Sequence, residues 1–108
     1  MTTTLTLQIL EEDIRETDYF NHEDCVITRA LARAGRPDLY DDGELSKNDR
    51  TIAKTSNNQS YFDLVYKVLG MYKTIAKVRG VMNSLSGDSI TVEALPIQDF
   101  EHTLIFEE

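Results

Sequence analysis

Between Tyr61 and Leu85 the apolar residues recur in steps of three and four: Tyr61, Leu64, Val68, Met71, Ile75, Val78, Met82 and Leu85. This is the a/d spacing of a heptad. It predicts one long amphipathic helix over about residues 60–85, roughly 37 Å long at 1.5 Å per residue. A period of 3.5 keeps the stripe facing one partner instead of letting it wind around the helix. Something must cover it: the chain's own sheet, a second copy, or a foreign protein. Gly70 and Gly80 fall inside the run, each costing roughly 1 kcal/mol relative to alanine in a helix interior. Gly80 is the expected place for a kink or an early stop.

The other elements are shorter. In residues 4–10, Leu5, Leu7 and Ile9 alternate with Thr4, Thr6 and Gln8, the pattern of a half-buried strand with threonines on the wet face. The three adjacent carboxylates that follow, Glu11, Glu12 and Asp13, are expected to stay in water, with Ile14, Tyr19 and Phe20 anchoring the connection. A short helix is predicted over about 22–34. Asn21 is its expected cap, Glu23 and Asp24 favour its positive end, and Ile27, Ala30, Leu31 and Ala34 form its inward stripe. Gly35 and Pro37 end it. Residues 36–60 are polar and rich in turn formers. A structureless loop of that length is uncommon, so a short strand or a turn of helix is expected around Leu45 or Thr51–Lys54. After the long helix, residues 89–95 and 102–107 alternate again, and Pro96–Asp99 would join them as an antiparallel hairpin. The chain is therefore expected to be a single α+β domain spanning 1–108, with a small, mostly antiparallel three-stranded sheet packed against the two helices.

Nineteen acids oppose eleven bases, a net charge of −8. Residues 1–49 hold twelve acids against five bases, whereas 60–85 hold Lys67, Lys73, Lys77 and Arg79 against Asp63 alone. An acidic body repels phosphate backbones, so direct binding to duplex nucleic acid is disfavoured. Asp38, Asp41, Asp42 and Glu44 form the expected acidic surface, suited to a basic protein partner. No apolar run is long enough to span a membrane. The first residues carry neither a basic stretch nor an apolar one, and a lone cysteine excludes an internal disulfide. A cytoplasmic location is the expectation.

Candidates for chemistry are few. Cys25 sits at a predicted helix start with His22 three residues before it, the ingredients of a thiolate and its base. Glu23 and Asp24 beside it would raise the thiol pKa, and a buried structural cysteine is the stronger expectation. His22, Cys25 and His102 lack the paired spacing of a zinc site. Residues 38–49 resemble a calcium loop in their aspartates and Gly43, but Tyr40 stands where a ligand is needed and Asp49 replaces the bidentate glutamate. The expectation is no catalytic residue, no metal and no cofactor. Tyr66, Lys67 and Lys73 could present a stacking, cationic face to a small molecule or nucleotide, which is the alternative functional reading.

The segment Leu5 to Ala34 runs from a strand through Glu12-Asp13-Ile14 into Asp24-Cys25 and Arg29-Ala30-Leu31. It resembles a class of small, uncharacterised phage and bacterial proteins in which a strand with an acidic Asp-Ile turn precedes a helix opening on Asp-Cys. The resemblance implies a compact α+β fold and a mobile-element or bacterial origin, and it brings no activity with it. Taken together, the expectation is a non-catalytic protein-interaction domain. It would dimerise through the long helix and act as an accessory protein that binds or inhibits a host protein.

Overall fold

The computed structural model describes residues 1–17, 21, 23–78 and 96–108, with the side chains of 76–78 left aside. The chain is an α+β domain whose described strands form two antiparallel sheets rather than one. Strand β1 (Thr2–Ile9) leads into a short helix α1 (Glu11–Glu16), then α2 (Val26–Arg33). A meander of β2 (Tyr40–Asp41), β3 (Glu44–Lys47) and β4 (Arg50–Lys54) follows, then the long helix α3 (Gln59–Val78), and finally β5 (Phe100–Glu107).

β1 pairs with β5 along its whole length, Leu5 opposite Leu104 and Ile9 opposite Phe100. Alternation explains the pairing: Leu7, Ile9, Leu104 and Phe106 are buried on one face. On the other face Gln8 reaches Glu101 at 2.6 Å and Thr2 bonds Glu107. The described partner of β5 is β1; the hairpin expected between 89–95 and 102–107 falls in part on residues outside the described ones. The three-stranded sheet instead comes from the polar stretch, where both segments singled out as short structure, around Leu45 and Thr51–Lys54, are strands. Its turns follow local chemistry. Asn48 and Asp49 both have positive φ, 53° and 60°, the two-residue type I′ geometry that suits a right-twisted hairpin. Gly43 at φ 76° turns β2 into β3.

α1 was not expected, and it overturns the reading of one of its three acids as solvated: Glu12 is exposed and Glu11 partly so, but Asp13 is not. Asp13 is only 4% exposed, because one turn of helix swings it towards α2. α2 starts later than the sequence suggests. Asn21 closes a turn on the Glu23 N–H at 3.1 Å, while the helix cap is Cys25, whose Sγ accepts from the Thr28 N–H at 3.4 Å. Its end is as read: Gly35 takes φ 91°, and the Arg36 and Gly35 N–H groups bond Leu31 and Ala32 carbonyls at 2.9 and 3.1 Å, closing a Schellman motif.

α3 runs unbroken through Gly70. Asn58 caps it, accepting from the Tyr61 N–H at 3.0 Å. Ser60 ties that same turn to β5 through the Ile105 backbone, at 2.9 and 3.0 Å. The stripe residues Tyr61, Leu64, Val68, Met71 and Ile75 are all buried in the chain's own core with Leu7, Ile14, Leu31 and Leu104. Val78, Met82 and Leu85, and the predicted stretch of helix beyond Val78, fall outside what is described, as does Gly80. No helix among the described residues is long and apolar enough to cross a membrane.

Leu64 sits fully buried at the middle of the stripe. Leu64→Ala is expected to lower unfolding free energy by about 3 kcal/mol, transfer and cavity terms together, measured by urea denaturation at unchanged m-value.

Candidate functional site

A concavity with polar walls lies where three elements meet. The start of α2 supplies Glu23 and Thr28, the connection into β2 supplies Asp38 and Tyr40, and the β3–β4 turn supplies Asn48 and Asp49, around a groove of about 420 Å³. The Tyr40 hydroxyl donates to Asp49 Oδ1 and accepts the Asp49 N–H, both at 3.1 Å, which fixes the turn against β2. Asp38 is held by Arg36 at 3.0 Å and by Lys47 at 3.5 Å. The Arg36 guanidinium also bonds Glu108. Its hydrogen bonds hold both carboxyls well below the ordinary carboxylate range, at about 2. Glu23 and Asp49 have no such described ion pair, and no basic side chain is among the described residues that line the groove.

Of the expected acidic surface, Asp38 lines this groove, Asp42 is exposed and Glu44 is half-buried, accepting from Thr51. Asp41 is a correction. It is 5% exposed, because β2 turns it inward onto Tyr61, whose hydroxyl donates to Oδ1. The Cys25 thiol donates to Oδ2 at 3.6 Å, and the Asp41 N–H donates to Thr28 Oγ1 at 3.0 Å. Thr28 Oγ1 in turn lies 3.2 Å from Cys25 Sγ. A tyrosine in an apolar stripe was the available signal, since a buried phenol needs a hydrogen-bond partner. Burial, and then the Asp41 charge, push the Cys25 thiol up to about 11. At neutral pH it is a protonated, enclosed thiol and no nucleophile. Its neighbours Glu23 and Asp24 are not the cause.

Asp13 makes a second interior cluster. Its carboxylate accepts from Arg29 at 3.4 Å and from Arg33; Arg29 also pairs with Asp24 at 2.8 Å, and Arg33 donates to the Gln8 carbonyl at 2.6 Å. These bonds join β1, α1 and α2.

The expected ligand face divides. Tyr66 stacks on Phe62 with ring centroids 6.1 Å apart, and the two border a small apolar pocket of about 60 Å³ with Thr55, Val65 and Leu69. Lys67 turns the other way, its Nζ 4.3 Å over the Phe100 ring. Lys73 is half-buried and engaged. The calcium-like segment is a hairpin whose aspartates diverge, Asp38 to Arg36 and Asp41 to Tyr61. Among the described residues no three metal-ligating side chains converge. His102 bonds the Ser60 carbonyl at 2.9 Å, and His22 lies outside the described residues. The five described stripe residues, Tyr61 to Ile75, face their own core and are not a surface for a second copy.

No family model matches the chain, and no curated protein or solved structure matches it.

Two charge arrangements give measurable expectations. Asp13→Ala should cost about 2 kcal/mol in chemical denaturation, since it removes the buried acceptor that two partly solvated guanidiniums share and leaves each with one partner fewer. For Asp38 and Glu108 the folded carboxyls sit below their ordinary values, so the stability they contribute is complete above about pH 4.5 and is lost as pH falls towards 2. Arg36→Gln should move both carboxyls back towards ordinary titration by NMR and flatten the fall of stability between about pH 4.5 and 2.

Proposed function

We propose that this chain is a non-catalytic protein-interaction domain, an accessory protein of phage or bacterial kind, whose acidic groove receives a basic segment of a host protein. The observation that carries the reading is the groove itself. Glu23 from the start of α2 and Asp49 from the β3–β4 turn face a common space with Asp38 and the Tyr40 hydroxyl. Their backbones are fixed by a hydrogen-bonded turn and a hairpin. Carboxylates preorganised in this way attract lysine or arginine side chains and speed encounter with a basic partner. The net charge of −8 adds long-range attraction of the same sign.

Further support for a non-catalytic role is the state of Cys25, enclosed and with its thiol at about 11. The phage or bacterial origin rests on the resemblance carried by Leu5 to Ala34. Dimerisation through the heptad stripe is not part of the proposal, since Tyr61 to Ile75 are used up in the core.

The test is titration calorimetry with an arginine- and lysine-rich peptide at two salt concentrations. Binding should weaken with salt, and Glu23→Gln with Asp49→Asn should weaken it about tenfold, each lost charge contributing up to about 1 kcal/mol. Asparagine tolerates the positive φ at position 49, so the turn survives. Glu12→Gln with Glu16→Gln, the same charge change on the exposed side of α1, should have little effect. Equal losses in both double variants would reduce the groove to non-specific electrostatics and sink the proposal.

A further inference from the structure

Asp41 is the one member of the expected acidic surface that lies in the interior, and it sits at a junction. Its carboxylate is met by Tyr61 from the first turn of α3 and by Cys25 from the cap of α2, and its backbone N–H holds Thr28. Thr28 also donates its N–H to Cys25 Sγ. The same four residues thus fasten β2, the start of α2 and the start of α3 to one another. Among the described residues the titratable groups facing the carboxyl are Cys25, Tyr61 and the adjacent Asp42. β3 faces it with Leu45, which lies opposite in register, while Glu44 on that strand is turned to Thr51. Arg29, one turn along α2, is committed to Asp24 and Asp13. Among the described residues no cation meets Asp41, unlike Asp13.

We propose that this junction is a pH-operated latch: with Asp41 protonated it holds the start of α2, β2 and α3 closed, and with Asp41 ionised it opens locally and uncovers Cys25. Burial is the main cause holding the carboxyl at about 6; the Cys25 thiol donating to it pulls the other way, and Asp42 adds to the rise. A carboxyl raised in the folded state stabilises that state fully below its ordinary value, here 3.8, and the contribution is lost as pH rises through about 6. The closed form is therefore favoured in mild acid, and the open form gains population towards neutrality. Thr28 and Tyr40 also wall the acidic groove, so opening loosens that wall, although the latch itself does not depend on what the groove binds.

The readout is trapping of Cys25 in the full chain by a dipyridyl disulfide, a reagent usable on both sides of neutrality. Trapping occurs from the opened form, where Asp41 no longer lies beside the thiol, so taking the ratio of wild type to Asp41→Asn at each pH divides out the thiol's ionisation there. That ratio is expected to rise roughly tenfold between about pH 5 and pH 7.5, from the carboxyl's change in proton affinity on opening. A ratio flat with pH would overturn the latch. A second measurement needs no variant: the Asp41 side-chain carbon in the wild-type protein should titrate near pH 6 by NMR, and titration at the ordinary value of an exposed aspartate would overturn it equally. A groove that fails to bind basic peptides while both of these results hold would remove the proposed function and leave the latch standing.

Discussion

Neither sheet of this protein could stand alone. A two-stranded ribbon in water is marginal at best, and a meander with strands of two to five residues is little better. What joins them is the apolar stripe of α3. Leu64, Val68 and Met71 share one buried cluster with Leu7, Leu104 and Phe106 of the β1–β5 ribbon and with Leu45 and Ala53 of the meander. Burial at roughly 25 cal/mol per Å² is non-directional. Orientation therefore has to come from elsewhere, and it comes from the first turn of α3, where Asn58 and Ser60 clamp the Ile105 backbone and Tyr61 reaches Asp41.

The two interior aspartates show how differently a buried charge can be accommodated. Asp13 has two guanidiniums within ion-pair distance, and each arginine has a further acceptor of its own. Asp41 has a phenol and a thiol, neutral donors that satisfy its oxygens without offsetting its charge. Desolvation of an unpaired carboxylate shows up as a shifted titration rather than as a buried ion. One aspartate therefore acts as a fixed brace between β1, α1 and α2, and the other as a group whose charge depends on its surroundings.

How far the sequence could be read follows from how burial is encoded. α3, β1 and β5 were legible because each buries one face over seven or more residues, long enough for a period to emerge. The meander was not, because its strands are too short to repeat a pattern and its buried positions include Asp41 and Ser46. The Asn48–Asp49 pair was its clearest mark, a turn former at both places where φ must be positive. Asp13 and Asp41 looked solvated because charge alone argues for surface. Their partners lie sixteen to twenty residues away, at distances no local spacing reveals. The groove was half visible: Asp38 belonged to the acidic stretch, whereas Glu23 and Asp49 are brought to it only by the fold.

The pairing of β1 with β5 also bears on how the chain is made. Thr2 sits opposite Glu107, so β1 leaves the ribosome long before its partner strand. Through that interval Leu7 and Ile9 have no strand to lie against, and the cost of closing so long a loop is met only at the end. Such a topology folds more slowly than one built from local contacts. The unpaired β1 edge is meanwhile open to other nascent strands. Thr2, Thr4, Thr6 and Gln8, set between the apolar residues, keep one face of that waiting strand wettable and limit the association it would otherwise invite.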